Sequence, residues 1–569
     1  MLGTQDDQRG LFETASQLDA EDLDEMGLYG QMARYGSEIF EDEDFAHMYD
    51  TENGRPSTPP SLLARARVLQ HYEGISEREV IQRCKYDLRW KAALGLDLDT
   101  TEKPFARTTF QAFRYRLTLH DEEGLIFEKS LQRAAERGLL DEKLDIALDS
   151  SPVRGRGAVE DTYQQLSSQI GSVLRAVAQS EGKEVEQLAD DWELSRHVEA
   201  DSIKGSELID WNDDEQVDAF LEDLLEEAYR AIELAETHQA AEPDVELLER
   251  IIDEDVDEDP DDQDKPTVAE GTAQERIVST SDPEMRHGRK SQQGTYDGHK
   301  AHIGLDVESG LILDVEVTAP SQAEGELIAD AIERIEAATD RSVEQVLGDS
   351  AYGTRTALEQ VSDFDVDLRT KMPQPNASWQ FGADDFEVSE DGREVTCPNA
   401  KTPSTTYRRQ DDGWQHRFAE SDCQNCPLKD QCTKGRRRSF FVADDFHERR
   451  RRREWAQSKE GRLELRRRVR VEHGLGRLKQ WGAGQARYFG RAKTEAQWKW
   501  TAAAANLSMI WNDRDADAPD QREDRSKCEL LTGSNEAPCR HQRRVPGAAT
   551  VVRRCAPKHW YPTRAITPA

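Results

Sequence analysis

The stretch LDIALDSSPVRGRG, Leu144 to Gly157, decides the fold. Upstream of it apolar residues recur at helical spacing. At Leu144 they close into a short apolar run that ends in a carboxylate and is followed by a Pro/Gly turn, so a sheet begins there. Two later stretches are of the same kind, HKAHIGLDV (His299 to Val307) and LILDVEVT (Leu311 to Thr318), joined by Glu308, Ser309 and Gly310 as a tight hairpin. In SQAEGELIADAIERIEAAT (Ser321 to Thr339), Leu327, Ile328, Ile332 and Ile335 share one helical face, and VEQVLGD (Val343 to Asp349) is a further strand. The predicted order is strand, strand, strand, helix, strand. This is an α/β mixed-sheet core spanning 141–512, with insertions at 160–276 and 375–445.

Before that core, SLLARARVLQHY, EREVIQRCKYDLRWKAALGL and TTFQAFRYRLTL carry helical periodicity, with Ser76 and Thr108 at N-cap positions. They predict a small all-helical domain over 61–140. Its cations, among them Arg65, Arg67, Arg78, Arg83, Arg89, Arg107 and Arg114, suit a helical DNA-reading module, although a solvated helix surface has the same composition. Residues 1–60 are acidic and polar and close on RPSTPP, which predicts a loosely ordered arm. Past Asp513 periodicity is lost, and 513–569 is expected to be a disordered tail.

A net charge of −39 over 569 residues argues at first against a nucleic-acid partner. Its distribution reverses that reading. Residues 181–276 hold 35 Asp/Glu against 7 Lys/Arg, in an insertion that is partly helical and ends in the run DEDVDEDPDDQD, predicted to be disordered. Residues 434–479 hold 17 Lys/Arg against 7 Asp/Glu. There HERRRRREW places Arg449, Arg450, Arg451, Arg452 and Arg453 in one run, a predicted nucleic-acid track. With no leader-like N-terminus and no run of about 18 apolar residues, a soluble cytoplasmic protein is expected.

Two-metal phosphoryl transfer needs carboxylates converging from different elements. Asp149 ends the first strand and Asp349 the fourth; if those strands lie parallel side by side, both side chains reach one edge. RRRVRVEHGLGRLKQW (Arg466 to Trp481) reads as a helix across that edge, with Arg468, Glu472 and Lys479 on one face. Asp306, at the end of HIGLD, is the rival for the first position. Its strand should run antiparallel to the first, which would put it at the far edge. The start of that strand then lies near the carboxylates, bringing Asp282, Arg286, Arg289 and Lys290 within reach of DNA. Taken singly, a strand-ending Asp is usually a turn residue and a Glu in a basic helix usually half of an ion pair; their joint order is what carries the reading.

The motifs LDIALDSSPVRGRGAVEDTY, SDPEMRHGRK with DGHKAHIGLD, VLGDSAYG and RVEHGLGRLK resemble those of the DDE transposases of bacterial and archaeal insertion sequences, over roughly Leu62 to Trp511. The resemblance implies a ribonuclease H-like core after a helical N-terminal domain. It also implies two Mg2+ (or Mn2+) ions held by Asp149, Asp349 and Glu472, and phosphate contacts from Arg468 and Lys479. The implied partners are double-stranded DNA, as terminal inverted repeats and target, and a second copy of the chain in the DNA complex. Leu465 stands where related chains carry a tyrosine. The implied function is cleavage and strand transfer. A nuclease of the same fold that does not transfer strands, or an inactive DNA-binding relic, are the alternatives.

Within 375–445, Cys397, Cys423, Cys426 and Cys432 have spacings compatible with a structural zinc site. Reduced, metal-free thiols are the other reading.

Overall fold

The computed structural model describes residues 1–4, 20–50, 55–200, 202–206, 209–258, 265–269, 271, 275–290, 294–372, 381–409 and 413–512. The tail 513–569 and the end of the acidic run, 259–264, lie outside the described residues.

The N-terminal part is all helical: α1 (Leu28–Ile39), α2 (Pro60–Glu73), α3 (Glu77–Tyr86), α4 (Leu88–Leu94), α5 (Arg107–Leu119) and α6 (Leu125–Glu136). Ser76 caps α3 as its sequence predicts, its Oγ accepting from Glu79 N (3.3 Å) while Glu79 accepts from Ser76 N (2.8 Å). Thr108 does not cap α5, which starts one residue earlier after Ala106. The expectation of a loose acidic arm is corrected between residues 28 and 48. There Leu28, Met32, Phe40 and Phe45 are buried in the same core as α2, because enough apolar residues are spaced through the acidic text to offset the ordering cost.

Arg65 and Arg67 are also corrected. Helix α2 is buried all round, leaving them 4% and 0% exposed, out of reach of DNA. Arg67 donates to Gln70 Oε1 (2.6 Å) and the Phe110 carbonyl (3.1 Å), pairs with Glu77 (3.5 Å) and lies 3.8 Å from the centre of the Phe110 ring. Arg67→Ala, by stranding these buried partners, should cost about 3–5 kcal/mol. Thermal denaturation should show a lower midpoint; an unchanged midpoint would refute this account of the residue.

The central sheet is built from β1 (Lys143–Arg154), β2 (Arg286–Arg289), β3 (Thr295–Asp306), β4 (Ile312–Thr318), β5 (Ser342–Gly348) and β6 (Asp367–Thr370). Its order is β2-β3-β1-β5-β6, with β4 also on the outer side of β3. β1 is antiparallel to β3 and parallel to β5, and β5 is parallel to β6. This mixed sheet after an all-helical region is the α/β, ribonuclease H-like class expected. The crossover helix α10 (Ile328–Thr339) begins seven residues later than its sequence suggests, because Glu324–Glu326 forms a separate short turn against the sheet.

The helix α14 (Arg491–Asn512) gives no distinct sequence signal, because it is buried on nearly every side from Ala496 to Leu507 and its buried positions include the polar Gln497, Thr501 and Asn506. It seals β4, with Asn506 accepting from Ile312 N (2.9 Å) and donating to Ile312 O (2.8 Å).

The acidic insertion folds around its own core, with Leu166, Leu174, Leu224 and Ile251 buried between α7 (Thr162–Glu181), α8 (Asp214–Ala235) and α9 (Glu242–Asp255). Its two ends are stitched together: Glu160 N donates to Val278 O (3.0 Å), and Thr280 N and Oγ1 donate to the Glu160 carboxylate (2.8 and 2.7 Å). The acidic run is ordered at its start, where Val256–Glu258 pairs with Pro266–Val268, a correction to the disorder expected there.

Candidate active site

β1 and β5 pair in register up to Ala147 opposite Leu347, and Asp149 and Asp349 each stand two residues beyond that pair. Parallel neighbours lie ~5 Å apart, so the two carboxylates stand level with one another. Asp149 does not end its strand, a correction to the turn expected directly after it: β1 runs five residues further and stays paired with β3 through Arg154. Asp306 pairs with Ile146, at the other end of β1, and its carboxylate accepts from Ser309 N (2.7 Å) and Oγ (2.6 Å) as a turn residue.

The third carboxylate comes from a helix, but a shorter one than predicted. The chain turns at Arg467 and Arg468 between α12 (Lys459–Arg466) and α13 (Val469–Gln480), with α11 (Phe446–Gln457) before them. Gly474 lets α13 lie close over β3, since a Cβ there would meet Leu305 Cδ1 at 2.9 Å. Glu472, in the first turn of α13, is thereby brought toward Asp149.

Arg468 joins the two, its Nη1 3.1 Å from Asp149 Oδ2 and its Nη2 2.6 Å from Glu472 Oε1. Asp149 is shielded and Glu472 half exposed. Burial raises the Asp149 carboxyl above its usual range, the Ser150 amide and Arg468 oppose this, and the charges of Asp349 and Glu472 add to it. Asp149 therefore feels both of the other carboxylates. Among the described residues, no three His, Cys, Asp or Glu side chains stand as a ready metal-holding group. This holds for the four cysteines as well as for the carboxylates. The Arg468 guanidinium lies between Asp149 and Glu472, and the Asp349 carboxylate accepts from Ala351 N (2.8 Å).

Lys479 is lowered by burial and by the nearby Lys290, against the pull of Asp149, so Lys479 lies within the influence of both Lys290 and the Asp149 carboxylate. Arg286 and Asp282 are not available to DNA. Arg286 is 6% exposed and donates to the carbonyls of Pro283 and Met285, and Asp282 is 1% exposed beside His299. The side chains of β2 alternate between its faces, and this one turns inward.

Sequence reading missed a second layer. Glu324 accepts from Ser150 Oγ (3.1 Å) and pairs with Lys300 (3.1 Å). Burial would raise the Glu324 carboxyl, but Lys300, a backbone amide and His302 together hold it low. Tyr352, almost fully buried, is raised well above the usual phenol range by burial and then by Glu324, Asp149 and Asp349. Glu324 was hidden because Ser321 and Glu324 look like a helix start.

Each guanidinium from Arg449 to Arg453 is paired with a carboxylate inside the protein. The four cysteines line one cavity of about 30 Å³. Lys401 N donates to Cys397 Sγ (3.4 Å) and Arg438 N to Cys423 Sγ (3.5 Å). Beside them is a small sheet of β7 (Thr405–Arg409), β8 (Gly413–Arg417) and β9 (Ser439–Ala443), whose buried core among the described residues is Phe386, Val395, Phe418, Phe440, Val442 and Phe446, with Val388, Cys397, Cys423 and Cys432 packed against it.

Residues 396–511 match the family model described as a transposase DDE domain, and residues 27–116 match one described as Transposase domain (DUF772). The first segment contains Glu472 and the four cysteines; Asp149 and Asp349 lie outside both. No curated protein and no solved structure matches the chain. Among the described residues no helix is long and apolar enough to cross a membrane.

Proposed function

Because the chain belongs with the insertion-sequence DDE transposases, we propose that it cleaves the ends of a DNA element and transfers the strands, with Asp149, Asp349 and Glu472 as its catalytic carboxylates. The observation that carries this is the register of β1 and β5, which sets two aspartates at one level beneath the helix bearing Glu472. Asp149 with the two carboxylates that act on it, Asp349 and Glu472, makes an all-oxygen donor set, which suits hard divalent ions such as Mg2+ or Mn2+. Two such ions, when bound, would activate the attacking oxygen and stabilise the leaving one. Arg468, Lys479 and Lys290 hold the phosphates of the DNA at that edge, and Arg468 exchanges its carboxylate partners for phosphate oxygens when the site is loaded.

The helical N-terminal domain, over 61–140, reads the inverted repeats, and two copies of the chain act on the paired ends. The four thiolates hold one structural zinc. Backbone amides directed at two sulfurs and a core of six apolar residues, too small to stand alone, support that assignment. The chain works in the cytoplasm, where the DNA is.

Incubating the protein with a duplex ending in the element's inverted repeat should give nicked ends and joined products. Both should vanish with a chelator and return with Mg2+. Cleavage without joined products would select the nuclease reading instead.

A further inference from the structure

The arginine run is the densest positive charge in the sequence, yet it is already partnered. Arg449 pairs with Asp445 (2.6 Å), Arg450 with Glu454 (3.2 Å), Arg451 and Arg452 with Glu448 (2.8 Å each) and Arg453, 7% exposed, with Asp384 (2.6 Å). Such charges are neutralised locally and would have to exchange partners to take a phosphate.

Next to the run lies an open cleft of about 800 Å³, lined by Ser350, Lys371, Met372, Arg453, Gln457 and Arg462. It begins at the catalytic edge, since Ser350 follows Asp349. β5 and β6 are parallel, with Gly348 opposite Thr370. Lys371 is therefore one residue past the last pair, level with Asp349 and one strand spacing, ~5 Å, to its side. Arg462 enters the cleft from α12; its Nε donates to Ser458 O (3.2 Å). Both side chains belong to exposed residues, and among the described residues neither Lys371 nor Arg462 has a carboxylate partner.

We propose that this cleft is a binding site for the DNA strand on one side of the reacting phosphodiester, with Lys371 and Arg462 as its phosphate contacts. The Arg449–Arg453 run is spent on α11 instead of tracking the DNA: four of its guanidinia pair within the helix and its N-cap Asp445, and Arg453 ties the helix to Asp384. Charge complementarity selects a polyanion, the openness of the cleft suits a strand that passes through, and its continuity with Asp349 puts that strand in line with the chemistry. The proposal rests on reading the chain as a DNA-processing enzyme.

The test is the salt dependence of binding to a duplex of random sequence, for the full chain and two double variants. Each phosphate contact contributes roughly 0.9 to the slope of log affinity against log salt, so K371Q/R462Q should flatten the slope by about 1.8. The R450Q/R451Q variant should keep the wild-type slope. A wild-type slope for K371Q/R462Q, with a flattened one for R450Q/R451Q, would overturn the assignment and return the track to the arginine run. Failure of the unaltered protein to bind DNA at any salt would instead remove the reading on which the cleft depends.

Discussion

Asp149→Asn, Asp349→Asn and Glu472→Gln should each lower magnesium-dependent DNA cleavage by about a thousandfold or more, equivalent to about 4 kcal/mol of lost transition-state stabilisation. DNA binding should largely survive. The substitutions are mild for the fold: an asparagine at 149 keeps an acceptor for Ser150 N, one at 349 still caps Ala351 N, and Glu472 is half exposed. The charge is what is lost, and charge is what a divalent ion requires. Asp306→Asn is the internal comparison. It should retain cleavage while weakening the turn that Ser309 closes on it, and a normal rate for any of the three catalytic variants would remove that residue from the site.

Cys423→Ser combined with Cys426→Ser should abolish binding of about one zinc per chain and unfold the small three-stranded sheet. Structural zinc contributes roughly 10–16 kcal/mol in small domains, far more than six buried apolar side chains supply beyond the entropy of ordering their segment. Elemental analysis of the folded protein should find the metal, and limited proteolysis of the variant should open the region around Lys429 and Arg438. Folded wild-type protein without zinc would sink the assignment.

The parts of this molecule that local text encodes were readable in advance. The strands holding Asp149 and Asp349 are announced by apolar runs ending in a carboxylate, although β1 runs on past Asp149 to Arg154 through the Pro/Gly stretch that reads as a turn. The position of Asp306 at the far edge follows from the antiparallel pairing of β1 with β3. What stayed hidden depends on partners distant in sequence. The run Arg449–Arg453 reads as a DNA track until Asp384, 69 residues before Arg453, claims one guanidinium. Arg67 reads as a surface cation because α2, buried on every side, has no polar face to contrast with. Helix α14 is missed for the same reason. Glu324 lies in a segment whose capping pattern points to a helix start that the sheet overrides.

The insertion between β1 and β2 leaves and returns through one doorway, where Glu160 holds both Val278 and Thr280. With its hinge posts tied, the sheet does not register how far the chain wanders outside, and doubling such a detour adds only ~0.6 kcal/mol of closure cost. Descendants of this gene can therefore lengthen that annex, recharge it or prune it while Asp149 stays aligned with Asp349. Variation in the exterior is thus uncoupled from the alignment of β1 with β5.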